Sequence, residues 1–225
     1  DAQAWAALAV EQPLLPVYGP TAPRIANVDS LESARHALAL NPDAALAYVA
    51  QGMVYSNQTR WAEADRALRH ALLLAPGDAE ALNQYAQFLH GVGQLAPALD
   101  VLDRALQADP MSGVSASIHV QLSLQLGRID AVTAAAQMKR ILAADPESLF
   151  VHRAASNIYL GLHDYAEAEA QLRRAAMLNG SDPEAKALLI RGIADLGQRA
   201  RAVESLESSP ANADSRRDPI VFAFY

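Results

Sequence analysis

The sequence has no cysteine among its 225 residues, which excludes disulfide scaffolds, thiolate zinc sites and cysteine nucleophiles. Aromatic residues make up only 6% of the chain, and alanine is abundant, a mixture that favours closely packed helices over β-sheets. Basic residues are in the minority, with 18 Lys and Arg against 25 Asp and Glu. The net charge of −7 argues against a nucleic-acid-binding region, whose surface is basic.

Long hydrophobic runs are also missing from the sequence. No apolar stretch reaches the length of a membrane span, and the N-terminus lacks the basic and then apolar pattern of a secretion signal. We therefore expect no membrane span in this region. Because the first residue is Asp1 and not Met, we expect the chain to be a piece of something longer.

Four prolines divide the sequence at a nearly constant interval. Pro42, Pro76, Pro110 and Pro146 are separated by 34, 34 and 36 residues, and each ends a similar phrase, such as HALALNP or RALQADP. A fifth phrase, RAAMLNGSDP, has Gly180 in place of the proline. A period of this length indicates a repeat architecture. We predict one array with units at 2–44, 45–78, 79–112, 113–148, 149–182 and 183–209, and a truncated helix at 218–225.

Each unit has the pattern of two packed helices. In residues 45–78, large side chains such as Tyr48 and Leu68 fall at helical spacing, while Gly52 and Ala64 lie where the two helices must approach closely. The proline after the second helix ends that helix and admits the next one. A single pair cannot bury its apolar stripe alone, so we expect neighbouring pairs to stack.

The first unit departs from this pattern. Prolines and a glycine between Pro13 and Pro23 predict a break of about a dozen residues between its helices. We expect the second helix to be capped by Asp29 or Ser30 and to run to about Leu40.

We make two further predictions about the second helices of the later units. The fourth unit has 36 residues, and its two additional residues should lengthen the second helix, from Ile129 to about Ala144. Trp61 and Tyr165 start equivalent second helices, and we expect both side chains to pack between helices. Replacing Trp61 by Ala should then cost about 3–5 kcal/mol of stability.

The residues around the possible catalytic and cofactor-binding motifs do not support either function. Gly91 to Ala96 matches the phosphate-binding pattern GxGxxA, but it joins two helices and does not follow a strand. The six histidines include no pair at i, i+4 and no nearby carboxylate set, so we expect no metal site. His163 takes the place of the turn glycine, and His152 falls at a packing position. We expect no cofactor and no enzymatic activity.

The repeated pattern resembles the tetratricopeptide repeat (TPR), a helix–turn–helix of about 34 residues with conserved spacing of large and small residues. The resemblance covers nearly the whole chain. It implies an all-α fold, a right-handed α-α superhelix of stacked antiparallel helix pairs, also called a TPR solenoid. The AWAAL start, the DPMS phrase at Asp109 to Ser112 and the end DPIVFAFY are more narrowly similar to the repeat regions that follow effector domains in bacterial adenylate cyclases and winged-helix regulators.

The TPR resemblance also implies where a partner binds. In the family, the second, fifth, ninth and twelfth residues of each first helix line the concave face. In this sequence that face grades from apolar through amide-rich to basic. Amide side chains can pair with the backbone of an extended peptide, and arginine can hold a carboxylate. The candidate residues are Leu46, Val49, Met53, Asn83, Gln87, His90, Gln121, Arg153, Asn157 and Arg191.

These observations favour a non-enzymatic scaffold that binds a protein or peptide segment, as part of a larger bacterial signalling or regulatory protein. The alternative is an oligomerisation or assembly module of a cell-envelope or secretion complex. The sequence leaves the oligomeric state open, and it is compatible with either the cytoplasm or the periplasm of a bacterium.

Overall fold

The computed structural model describes residues 1–18 and 21–179, and every regular element in these ranges is a helix. None of these helices has both the length and the apolar character that a membrane span requires. The predicted sixth unit (183–209), the terminal helix (218–225) and Arg191 lie outside the described residues. In chain order the elements are α1 (Ala2–Glu11), a 3-10 turn (Gln12–Leu14), α2 (Leu15–Tyr18), α3 (Pro23–Leu40), α4 (Ala45–Asn57), α5 (Trp61–Leu74), α6 (Ala79–Gly91), α7 (Leu95–Ala108), α8 (Gly113–Gln125), α9 (Ala131–Ala144), α10 (Leu149–Gly161) and α11 (Tyr165–Asn179).

The described helices belong to two compact bodies, one within residues 1–128 and the other beginning at residue 129. In the first body α1 packs on α3, α4 on α5 and α6 on α7, and α8 adds to α7. In the second body α10 packs on both α9 and α11. The expected all-α fold of paired helices is confirmed, and turns of three residues join α4 to α5, α6 to α7 and α10 to α11.

Caps and turns at the predicted intervals set the ends of the helices. Asp78 and Ser112 accept hydrogen bonds from the backbone N–H three residues later, at 2.8 and 3.2 Å, and so cap α6 and α8. Two residues beyond the end of four first helices lies a turn residue with φ between 59° and 79°. The N–H after it bonds back to the carbonyl five residues earlier, as in a Schellman motif. The turn residues are Thr59, Gly93, Gly127 and His163. The prediction that His163 replaces the turn glycine is confirmed.

Small residues set the distance between paired helices. Gly52 of α4 lies against Leu68 of α5, and a Cβ atom built at Gly52 would come within 2.5 Å of the Leu68 Cγ atom. Ala64 and Ala71 on the same side of α5 are completely buried. Small residues therefore lie where the two helices approach each other closely, as the sequence pattern predicted.

The first hairpin differs from the predicted one. The chain stays helical through Pro13, because this proline occupies the first turn of the 3-10 segment, where its missing N–H is not required. The second helix, α3, already begins at Pro23, so Ser30 does not cap it. Instead the buried Ser30 hydroxyl donates to the Ala9 carbonyl at 2.7 Å and joins α3 to α1.

Two expectations for later second helices were wrong. The additional residues of the fourth unit lie in the turn, which spans five residues between α8 and α9, whereas α9 has the same 14 residues as α5 and α7. Trp61 and Tyr165 are 46% and 44% exposed. Both stand at the first residue of a helix, and the Tyr165 hydroxyl lies 3.0 Å from the Nδ1 atom of the turn residue His163.

The substitution Gly52→Ala should destabilise the protein by about 1–3 kcal/mol, because its methyl group has to displace Leu68. Gly91→Ala is a matched control, since no atom lies within 4 Å of the added Cβ and alanine favours the helix. Urea unfolding followed by circular dichroism measures both changes. Equal midpoints for the two variants would contradict the close approach of α4 and α5.

The exposure of Trp61 changes the expected cost of removing it. Trp61→Ala should lower the free energy of unfolding by no more than about 1 kcal/mol, as for other substitutions outside the core. Leu68→Ala, at a residue only 1% exposed, should cost about 2–5 kcal/mol. The same unfolding measurement compares them, and a larger loss for Trp61→Ala would mean that the tryptophan is a core residue.

Candidate partner-binding face

The first helices of the first body meet along a buried seam. The seam is formed by the third and fifth residues of α4, α6 and α8, counted from Ala45, Ala79 and Gly113. Val49 of α4 and Ala81 of α6 belong to one buried cluster. At the equivalent positions of the next two first helices, Asn83 of α6 is hydrogen-bonded to Ser115 of α8. The seam aligns α4, α6 and α8 so that their neighbouring residues share one surface, which we call the first-helix face.

Asn83 contributes a polar link to this seam. Its side chain is only 7% exposed, and its Nδ2 donates to the Ser115 Oγ atom at 2.6 Å. Its Oδ1 accepts from the Gln87 Nε2 at 2.5 Å. Ser112 extends the network by donating to the Ser115 Oγ at 3.0 Å. Both ends of the Asn83 amide are therefore engaged within the protein, which gives the residue a structural role that sequence spacing did not reveal.

Most of the apolar residues that were expected to line one end of the groove are buried. Val49 is completely buried and Met53 is 9% exposed, in a cluster with Ala6 and Val10 of α1. The physical reason is the close packing of α1 against α4, which alanine side chains permit. Of the three apolar candidates on α4, only Leu46 remains half-buried and within reach of a partner.

Four half-buried polar side chains remain accessible on the first-helix face: Glu80, Gln87, His90 and Gln121. Burial raises the pKa of Glu80, a hydrogen bond from the Gln84 amide at 2.9 Å opposes the rise, and the acidic Asp78 and Glu11 add to it. Burial lowers the pKa of His90 and so favours its neutral form. The face therefore offers amides, an imidazole and a carboxyl group close to other acidic residues.

The second body carries two more of the candidate residues. Arg153 and Asn157 lie four residues apart on α10 and so share one side of that helix. Asn157 is exposed, whereas Arg153 is half-buried and already has an interaction partner. The buried His152 contacts the Gln171 Oε1 at 2.7 Å and the Pro146 carbonyl at 3.0 Å, which confirms the packing role predicted for it.

An open cleft between α4 and α5 was not predicted from the sequence. It has a volume of about 470 Å³ and lies on the side of α4 opposite Val49. The Tyr48 ring meets the His70 ring edge-on inside it, with centroids 4.4 Å apart. No group of three or more potential metal ligands occurs among residues 1–18 and 21–179. The cleft is lined by Tyr48, Gln51, Tyr55, Glu63, Arg66, Ala67 and His70.

Comparison with known proteins identifies the fold. No family model matches the sequence, and no curated protein matches it significantly. PilW, a widely conserved type IV pilus biogenesis factor, has a TM-score of 0.66 at 19% identity, covering 98% of this chain and 97% of its own. PilF of Pseudomonas aeruginosa has a TM-score of 0.60 at 20% identity, over 91% of this chain and 88% of its own.

A thermophilic TPR protein of Thermus thermophilus gives a TM-score of 0.65 at 18% identity, covering 91% of this chain and all of its own length. Identities this low establish the fold alone. The TPR resemblance drawn from the sequence is thereby confirmed as a TPR-type fold, whereas the narrower similarity to cyclase and regulator repeat regions stays an expectation.

The link between Asn83 and Ser115 predicts a loss of stability on its removal. Asn83→Ala should cost about 1–3 kcal/mol, because it removes two hydrogen bonds at a buried position of the seam. A double-mutant cycle with Ser115→Ala should give a coupling energy above about 0.5 kcal/mol. Gln121→Ala, on the same face without such a link, should change stability by less than about 0.5 kcal/mol. An Asn83→Ala protein as stable as the parent would show that the amide is not part of the seam.

Proposed function

We propose that this chain is a non-enzymatic scaffold that binds an extended segment of a partner protein on the first-helix face. The observation that carries the proposal is the row of accessible polar side chains at Glu80, Gln87 and Gln121, held in register by the buried seam beneath them. A rigid row of this kind costs little entropy when it engages a ligand.

The chemistry of the row favours a segment that carries a basic side chain. Gln87 gives one N–H to Asn83, and the remaining polar groups of its amide can pair with a peptide backbone, as can those of Gln121. The acidic Asp78 and Glu11 add to the rise that burial causes in the pKa of Glu80. A lysine or arginine placed there would relieve this repulsion. The net charge of −7 attracts the same kind of partner at long range.

The proposed binding surface is less apolar than the sequence predicted. Val49, Met53 and Asn83 are buried and support the face from below. Of the predicted residues in the first body, a partner can reach Leu46, Gln87, His90 and Gln121. The bacterial signalling context remains part of the proposal and rests on the sequence pattern alone.

A second candidate is an assembly module of a cell-envelope complex. It is supported by PilW, a pilus biogenesis factor whose length and fold both correspond to this chain. Light scattering at several concentrations, with and without residues 218–225, tests the self-associating form of this candidate. A protein that stays monomeric in both cases would exclude it.

The scaffold proposal predicts a charge-dependent peptide affinity. Fluorescence anisotropy with labelled extended peptides should show tighter binding of lysine-containing peptides than of their glutamate counterparts. The combined change Glu80→Gln, Gln87→Ala and Gln121→Ala should weaken binding at least about tenfold, or 1.4 kcal/mol, with unchanged helical content. Gln51→Ala is the matched control, because Gln51 is half-buried on the opposite side of α4. Equal loss in both variants, or no loss in the triple variant, would place binding elsewhere.

A further inference from the structure

The cleft between α4 and α5 belongs to a hairpin that has neighbouring helices on both sides. In the first body, α3 packs against α4, and α6 packs against both α4 and α5. The cleft stays open although these neighbours are in place. Its opening is therefore a property of the hairpin and of its own side chains.

Two small side chains account for the opening. Gln51 of α4 and Ala67 of α5 line the cleft, whereas the residues 34 positions later in the next hairpin are Tyr85 and Val101. These larger side chains are 8% and 9% exposed, so the next hairpin has buried bulk at the corresponding positions. Between α4 and α5 the smaller pair leaves a space of about 470 Å³.

The charges that line the cleft leave one arginine available to a ligand. Glu63 accepts two hydrogen bonds from the Arg60 guanidinium, at 3.1 and 3.2 Å. A backbone hydrogen bond and Arg60 lower the pKa of Glu63, and Arg66 adds a smaller electrostatic contribution. Among residues 1–18 and 21–179, Arg66 itself has no hydrogen bond and no ion pair. The equivalent residue of the next hairpin is Asp100, so this positive charge is particular to the cleft.

Aromatic rings stand at both ends of the cleft. Tyr48 and Tyr55 are seven residues apart on α4, which places them on one side of the helix, about 10 Å apart along its axis. His70 meets the Tyr48 ring edge-on, and the Arg60 guanidinium lies 4.4 Å from the centre of the Tyr55 ring. Because α5 runs back along α4, Arg66 lies between these two ends.

We propose that the cleft binds an acidic segment of a partner protein, with a carboxylate held by Arg66 and apolar side chains against Tyr48 and Tyr55. A guanidinium group can pair with a carboxylate through two hydrogen bonds. One uncompensated positive charge matches a carboxylate better than a phosphate group, which carries nearly two negative charges.

The open shape of the cleft favours a peptide over a small molecule, because small-molecule sites enclose most of the ligand surface. The cleft lies on the side of α4 opposite Val49 and takes the opposite charge from the first-helix face. The two proposals are therefore independent of each other.

Fluorescence anisotropy with the full chain tests the site. The probe contains the sequence phenylalanine–alanine–glutamate–alanine–phenylalanine, which puts both rings and the carboxylate on one face of an extended peptide. It is labelled at its N-terminus and amidated at its C-terminus, and its counterpart has glutamine in place of glutamate. At about 0.15 M salt, where long-range repulsion by the acidic protein is screened, the glutamate peptide should bind about fivefold more tightly, as one exposed ion pair allows.

Two further comparisons define the ligand. The glutamine peptide with a free terminal carboxylate shows whether a side chain or a chain end supplies the anion, since the one that binds more tightly is the source. Comparing glutamate with glutamine also separates this site from the first-helix face, which is tested with lysine against glutamate.

Variants of the chain locate the binding. Arg66→Gln should abolish the preference for a carboxylate. Arg104→Gln is the matched control and should keep the preference, because it removes the same charge from an exposed arginine of α7 that bonds to the Pro76 carbonyl. The combined change Gln51→Tyr and Ala67→Val introduces the residues of the next hairpin. It should weaken all the peptides by filling the cleft, with unchanged helical content by circular dichroism.

Three results would overturn the proposal. A preference that survives Arg66→Gln, or that Arg104→Gln removes equally, would mean that Arg66 does not hold the anion. Unchanged affinity in the filled variant would place binding outside the cleft. Sedimentation showing a dimer that Arg66→Gln dissociates would make a second copy of this chain the occupant.

Discussion

The close contact between paired helices is the constraint on which the rest of this structure depends. Gly52 leaves room for Leu68 where any Cβ atom would collide, and buried alanines such as Ala64 and Ala71 extend the contact along α5. Helices that approach this closely gain dispersion contacts over their whole length, although each contact is weak. The abundance of alanine and the small number of aromatic residues follow from this one requirement.

The same constraint decides which residues can take part in recognition. Neighbouring first helices pack so closely that their third and fifth residues, such as Ala81 and Val49, are buried in the seam. Polar residues in the seam must then satisfy each other, which explains the bond between Asn83 and Ser115. Recognition is left to residues beside the seam, such as Gln87 and Gln121, which stay half-buried and are supported from below.

The sequence was informative wherever a local rule decides the structure. The proline period located the helix pairs, and His163, which was predicted to replace the turn glycine, has the left-handed conformation of that turn. It was less informative where the outcome depends on a neighbouring helix. Whether Val49 faces a groove or a core depends on how closely α1 approaches α4, and Pro13 disrupts nothing because it falls at a helix start. Neither fact can be read from spacing within one unit.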